Sequence, residues 1–264
     1  MADLRDQITD LTRRAGDLAL KHYRKTGFEL KSDGSVVTVA DEEVEDFLRP
    51  RVGEIIPDSA YLGEETVSDA NAIEQARGSQ WVWVVDPIDG TAAFTQGLDT
   101  FCISVGLFRN HEPHTGCVFF PALGHLYYAE SGAGVFYDDE RVEVLDEMPV
   151  LDRACLYVSS GAHQKYRITF SGKVRAMGST ALHYCLVARG AAVGAISTGH
   201  VWDMAAAAAA IKEAGGVMKH LDGRPIEWAK WYTGEGLRPA VLAAPPSIWD
   251  HVAETIEPFG ERDD

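Results

Sequence analysis

Five apolar residues, Trp81-Val82-Trp83-Val84-Val85, run without a break into Asp86-Pro87-Ile88-Asp89-Gly90-Thr91. Three of the five are valine, and the run predicts a buried strand that ends abruptly in a turn rich in Pro, Asp and Gly. Pro87 fixes its own φ and pushes Asp86 into an extended conformation, while Gly90 tolerates the φ values that a sharp turn into a helix requires. Two carboxylates are therefore held rigidly at a strand end. Asp86 and Asp89 can share one or two hard cations, and the free amides of Gly90 and Thr91 at a helix start can hold an oxyanion, a combination suited to phosphoryl chemistry. Pro, Asp and Gly are also the commonest turn formers, so the stretch alone does not distinguish a site from a plain turn.

The rest of the chain narrows the choice. Its 264 residues can form one large domain or two ordinary ones, and 46% hydrophobic with 9% aromatic residues is enough for a substantial core. Forty acidic against 24 basic residues give a formal charge of -16, which argues against a nucleic-acid backbone or an anionic membrane as the main partner. The same acidity fits a cluster of carboxylates that needs divalent cations to neutralise it. Cys102, Cys117, Cys155 and Cys185 are widely spaced, in apolar contexts, with no CxxC pair, and read as four buried free thiols. The first residues are charged and lack an apolar signal core, and no run approaches a membrane span, so the expected location is cytoplasmic.

In chain order, Leu4, Ile8, Leu11, Ala15 and Leu18 recur at helical spacing within 2–26, and Gly27 follows as a C-terminal stop. Val36 to Ala40 predicts an extended segment, and Asp41 the N-cap of a second helix that kinks or restarts at Pro50. Tyr61-Leu62-Gly63-Glu64-Glu65 is a short apolar lead into two acids. Glu64 lies close enough in sequence to Asp86 for the two to sit at converging ends of neighbouring strands. Beyond the turn, Phe101 to Phe108, Thr115 to Phe120, His125 to Ala129 and Gly134 to Tyr137 predict an antiparallel meander. His111 and His114 sit in a turn with no third ligand nearby and read as a solvated loop. The acidic stretch from Asp138 to Asp146, then Pro149, marks a boundary between an N-terminal half, 1–147, and a C-terminal half, 148–264. The second half opens with a strand from Ala154 to Ser159. Ser179 is then the N-cap of a helix through Ala188 whose amides can face an anion. A strand from Ala192 to Ser197 leads to His200-Val201-Trp202-Asp203 and an alanine-rich helix closed by Gly215-Gly216, with Asp203 at its N-terminus as a cap, a ligand or both.

Glu64, Asp86, Asp89, Thr91 and Asp203 bring together four acids and a hydroxyl. The order of a Gly-Glu-Glu segment, an apolar strand into Asp-Pro-Ile-Asp-Gly-Thr, and a distant Trp-Asp before a small-residue helix ending in Gly-Gly resembles the inositol monophosphatase family. That family belongs to the magnesium-dependent, lithium-sensitive phosphomonoesterases. The resemblance runs from the N-terminal helices to Gly216. It implies an α+β fold, an αβαβα layered sandwich in two halves with the metal site between them, usually a homodimer. It implies that Glu64, Asp86 and the Ile88 carbonyl hold a first Mg2+ whose water is the nucleophile, and that Asp86, Asp89 and Asp203 hold a second, Glu64 also contacting a third, weaker ion. Thr91 would bond that water and be oriented by Asp41, which stands in the family's Val-Thr-x-x-Asp position. Amides of Gly90 and Thr91 would bind the phosphate, with Gly178, Ser179, Ile196 and Asp203 on the substrate side.

Two departures bear on substrate. Inositol-specific members carry an acid seven residues before the Trp-Asp aspartate, and here that position is Ile196; the common Thr-Asn after Asp-Gly is Thr91-Ala92. The expected activity is therefore hydrolysis of a small phosphomonoester such as inositol 1-phosphate, with histidinol phosphate, fructose 1,6-bisphosphate and adenosine 3',5'-bisphosphate as alternatives. A non-catalytic binding protein on the same fold is disfavoured by the presence of every ligand.

Overall fold

The computed structural model describes residues 3–25, 27, 29, 30, 36–143 and 153–259. The first half runs α1 (Leu4–His22), a ribbon of β1 (Glu29–Leu30) and β2 (Val36–Val37), α2 (Val39–Ile55), β3 (Ala60–Gly63), α3 (Ala70–Gly78), β4 (Trp81–Asp89), α4 (Thr91–Thr95), β5 (Cys102–Arg109), β6 (Glu112–Phe120), β7 (His125–Glu130), β8 (Gly134–Tyr137) and β9 (Glu140–Arg141). The second half runs β10 (Cys155–Val158), α5 (Ala162–Lys165), β11 (Tyr166–Ile168), β12 (Lys173–Arg175), α6 (Thr180–Ala188), β13 (Gly194–Ser197), α7 (Val201–Glu213), β14 (Val217–His220), β15 (Val241–Ala244), α8 (Trp249–Ala253) and β16 (Ile256–Pro258). The expected boundary at 147/148 lies outside the described residues.

Strands β3 to β9 form one seven-stranded sheet in sequence order, antiparallel except for the parallel pair β3 and β4. The meander is as expected. A five-stranded mixed sheet has the order β12-β10-β13-β15-β14. Strand alternation divides the apolar residues between faces. Trp83, Val85, Ile103 and Val105 pack on Ile8, Leu11, Val44 and Leu48 of α1 and α2. Val82 and Val84 face the other way, toward α6 and α7, which are in turn covered by Tyr157, Ala195 and Ala243 of the second sheet. Leu156, Ile196 and Leu242 then meet Trp249 and Val252 of α8. The result is the expected α+β sandwich of five alternating layers.

α7 sits unusually close to the large sheet. Its buried face is alanine, and Gly106 and Gly116, cross-strand partners on β5 and β6, leave room for its backbone. A Cβ at Gly116 would come within 1.9 Å of the Ala206 carbonyl oxygen, and one at Gly106 within 2.8 Å of the Ala205 Cβ. Small residues on both sides thus set how deep the helix N-terminus reaches.

Three local expectations are corrected. α1 ends at His22, and the left-handed residue beyond it is Arg24 (φ 62°), not Gly27. The N-cap of α2 is Thr38, whose hydroxyl accepts from the Ala40 amide; Asp41 is the third helical residue, and its carboxylate reaches back to the Thr38 amide at 2.8 Å. α2 does not restart at Pro50, which lies within one continuous helix on its exposed face.

Candidate active site

The Asp86–Asp89 segment is a β-bulge and not a plain turn. β4 continues through Asp89, with Asp86 opposite Ser104 and Asp89 opposite Cys102, so three steps on one strand match two on the other. In a regular strand, residues three apart point to opposite faces; the extra residue returns both carboxylates to the α7 side. Pro87, which has no N–H to give to a ladder, sits inside the bulge. The Ile88 amide donates to Asp86 Oδ1 at 3.0 Å, closing the loop on itself.

Asp203 meets them from α7. Its Oδ2 accepts the His200 amide at 2.9 Å, the third-residue position of a cap, and Gly199 leaves it space. Asp86, Asp89 and Asp203 each place an oxygen within 4.8 Å of the others, and this is the one such group of metal-ligating side chains among the described residues. Glu64 stands just beyond the end of β3, where its amide donates to the Val85 carbonyl at 3.2 Å. It lies outside the three-acid group, yet its charge is the largest acting on Asp86. The parallel pairing of Gly63 with Val85 converges the two strand ends as expected.

Asp89 ties the halves together. It accepts from the Ser179 hydroxyl, the Thr180 amide at 3.1 Å and the Ala181 amide at 2.8 Å, with the Cys102 thiol at 3.5 Å. The anion expected at the start of α6 is therefore this carboxylate, while Ser179 Oγ caps the helix by accepting from the Leu182 amide. Gly90 and Gly178 meet where β4 turns into α4: both have positive φ (90° and 88°), and a Cβ on Gly90 would lie 2.9 Å from the Gly178 carbonyl oxygen. The Thr91 hydroxyl lies 3.1 Å from Asp41 Oδ1 and 3.0 Å from the Ile88 carbonyl oxygen and donates to one at a time.

Like charges in a buried site raise carboxyl pKa values. Burial pushes Asp86 well above the ordinary range, with the charges of Glu64, Asp89 and Asp203 adding to it. Asp203 is raised well above that range too, by burial and then by Asp89 and Glu64. Burial lifts Asp89 to about 6 against its hydrogen bonds from Ser179, Ala181 and Thr180. Asp41 rises to about 7 through burial, opposed by its bonds from Thr38. Amides and hydroxyls hold these acids in place without cancelling their charge. Divalent cations fit such a donor set: several hard oxygens, converging, mutually repulsive, and buried at Asp86 and Asp89 but half-buried at Asp203 and Glu64.

Ile196 is the expected site residue that the structure does not bring to this cluster. Its side chain, 2% exposed, packs with Leu156, Val158 and Leu242 under α8, because the alternation of β13 turns it away from α6. The neighbouring Ser197 faces inward, its Oγ 3.3 Å from Thr180 Oγ1 and accepting from the Gly199 amide at 3.0 Å. Reading β13 with period two from Ala195 would have found it. Two further residues escaped the sequence reading. Ser104, fully buried opposite Asp86, has an Oγ without a partner, and Glu45 lies one turn after Asp41 on α2. The four cysteines are free and buried.

The comparisons with known proteins bear on this geometry. The family model for the inositol monophosphatase family matches residues 1–256. The chain belongs to the inositol monophosphatase family. It is a phosphoric monoester hydrolase of that family. A relative from Mesorhizobium japonicum named inositol-1-monophosphatase is 34% identical over 74% of this chain and 75% of its own length. A Thermotoga maritima protein named fructose-1,6-bisphosphatase/inositol-1-monophosphatase is 31% identical over 84% of this chain and 86% of its own. Among solved structures, a Thermotoga maritima inositol monophosphatase superposes with a TM-score of 0.79 at 25% identity, covering 96% of both chains. The extragenic suppressor protein suhB of Bartonella henselae shares the fold, with a TM-score of 0.80 at 22% identity over 96% of this chain and 98% of its own. No helix among the described residues is long and apolar enough to cross a membrane.

Proposed function

We propose that this enzyme is a Mg2+-dependent, lithium-sensitive phosphomonoesterase acting on small phosphate esters such as inositol 1-phosphate, as a cytoplasmic homodimer. The observation that carries the reading is the convergence of Asp86, Asp89 and Asp203 within 4.8 Å, beside Glu64. Asp86, Asp89, Asp203, Glu64 and the Ile88 carbonyl would hold two or three Mg2+ ions. Bound there, the ions supply charge that neutralises the phosphate, lowers the pKa of water and steadies the leaving oxygen. The chain's own residues do the rest. Thr91 Oγ1 donates to Asp41 Oδ1, which leaves its lone pairs to accept a hydrogen from the attacking water and to aim that water at phosphorus. Asp41, fully buried and held through Oδ2 by the Thr38 amide and hydroxyl, accepts the Thr91 hydrogen through Oδ1 and so fixes the direction of those lone pairs. Amides of Gly90 and Thr91 bind phosphate oxygens, and Gly178 and Ser179, the latter donating to Asp89, border the leaving group.

Phosphate release from a panel of esters tests the reading. Inositol 1-phosphate is hydrolysed with Mg2+ and not after chelation, and millimolar lithium inhibits. With Ile196 turned outward, no carboxylate at that position reads ring hydroxyls, so the preference over fructose 1,6-bisphosphate, histidinol phosphate, adenosine 3',5'-bisphosphate or an alkyl phosphate stays below about a hundredfold. The name of the Thermotoga maritima relative favours fructose 1,6-bisphosphate as the second substrate. Release from none of these esters sinks the proposal.

The relay has its own test. Thr91→Ala and Asp41→Asn each lower kcat by about a hundredfold or more, with KM within about threefold. The double variant loses no more than the worse single one, because the two side chains act as one unit. Fully additive losses in stopped-time phosphate assays would reduce Asp41 to a helix-capping role.

A further inference from the structure

Glu45 is a buried acid to which the reaction above gives no part. It lies one helical turn beyond Asp41 on α2, so both carboxylates leave the same face of the helix, and it is 2% exposed. Its Oε2 accepts the Glu65 amide at 2.9 Å. Its Oε1 makes no hydrogen bond of regular geometry, the Thr66 hydroxyl being the one side-chain donor that approaches the carboxylate, and it lies over Gly63, where a Cβ would come within 2.5 Å of it. A buried carboxylate held by so few donors is expensive to keep, and such groups call for an explanation other than stability. The glycine of Gly63-Glu64-Glu65 also gains a reason here, since any side chain would displace Glu45.

We propose that Glu45 is a positioning residue for Glu64: by seizing the Glu65 amide it holds the turn at the end of β3 so that the Glu64 carboxylate faces Asp86. α2 then organises two strand ends at once, Thr91 after β4 through Asp41 and Glu64 after β3 through Glu45. The proposal rests on Glu64 being a metal ligand. Groups that hold a ligand in place affect affinity by about ten- to a hundredfold, and that is the scale expected here.

The test is Mn2+ binding to the full chain, followed by the loss of the free-ion EPR signal, beside melting curves. Wild type binds Mn2+, Glu45→Ala binds about ten- to a hundredfold more weakly, and Glu45→Gln, which keeps an oxygen for the Glu65 amide, stays within about threefold of wild type. If Glu45→Ala fails to fold, Glu45→Asp, whose carboxylate is drawn back by one methylene, is expected to show the same weakening. A Glu45→Ala that melts lower but binds Mn2+ like wild type overturns the proposal and leaves Glu45 a structural residue. A Glu45→Gln as weak as Glu45→Ala also overturns it, since the charge and not the amide bond would matter. A wild type that binds no Mn2+ defeats the metal reading itself, an outcome distinct from the other two.

Discussion

Asp86→Asn is expected to lower kcat/KM by at least about a thousandfold, roughly 4 kcal/mol of transition-state stabilisation, while raising the melting temperature of the metal-free protein. The two effects share one cause. Asp86 is buried among Glu64, Asp89, Asp203 and Asp41, so in the absence of cations its ionised form is strongly opposed. Asparagine keeps the oxygen that accepts the Ile88 amide and discards the charge. The fold is relieved of a repulsion, and the site loses one of the carboxylates that would hold the ions. Calorimetry with and without Mg2+ separates the terms. Wild type gains about 2.7 kcal/mol at a hundred times Kd, or about 5 to 10 °C, and the variant gains little. An active Asp86→Asn, or one that melts lower than wild type without metal, contradicts the assignment.

The same acids fix the sign of a pH effect. Asp89, Asp41 and Glu45 have folded-state values raised from the ordinary carboxylate range to about 6, 7 and 7, chiefly by burial. A raised carboxyl stabilises the fold while protonated, and that stabilisation is lost as pH climbs through the folded value. Metal-free protein therefore weakens between about pH 4 and 7 through these groups, and the gain from Mg2+ is larger at pH 8 than at pH 5.5. His183 works against them: burial lowers it to about 4, so its contribution is lost as pH falls from its ordinary range toward that value.

Periodicity and turn chemistry made the large elements legible in the residues. The meander, the alanine-rich helix and the parallel approach of β3 to β4 depend on local apolar patterning, which the structure preserves. Asp86, Asp89 and Asp203 were legible because three separated motifs recur in one order, and tertiary folding needed only to bring their ends together. What stayed hidden depends on the direction of a side chain. Asp86 and Asp89 share a face only because of a bulge, whose register is set by β5 and cannot be counted along β4 alone. Ile196 faces outward because the second sheet is covered on both sides, a fact carried by α8, which lies far away in sequence. Glu45 resembles any charge on an amphipathic helix until the end of β3 is laid against it.

Gly116→Ala is expected to destabilise the protein by about 3 kcal/mol or more, among the largest losses available from a single methyl group. The added Cβ would stand 1.9 Å from the Ala206 carbonyl oxygen, and the obstacle is helix backbone, which has no rotamer to adopt. α7 must lift or tilt. Because Asp203 is the third residue of that helix, any tilt moves a carboxylate away from Asp86 and Asp89, so activity measured well below the melting transition should fall as well. Gly106→Ala is the milder neighbour, with its Cβ 2.8 Å from the Ala205 side chain. Gly53→Ala is the control: it lies within α2 with nothing within 4 Å of its Cβ, and it should stabilise by about 0.5 to 1 kcal/mol through helix propensity alone. Melting curves and kcat for the three variants decide the matter. If Gly116→Ala melts within a degree of wild type and turns over normally, the close seat of α7 is not what places Asp203, and the capping contact to the His200 amide must carry that task by itself.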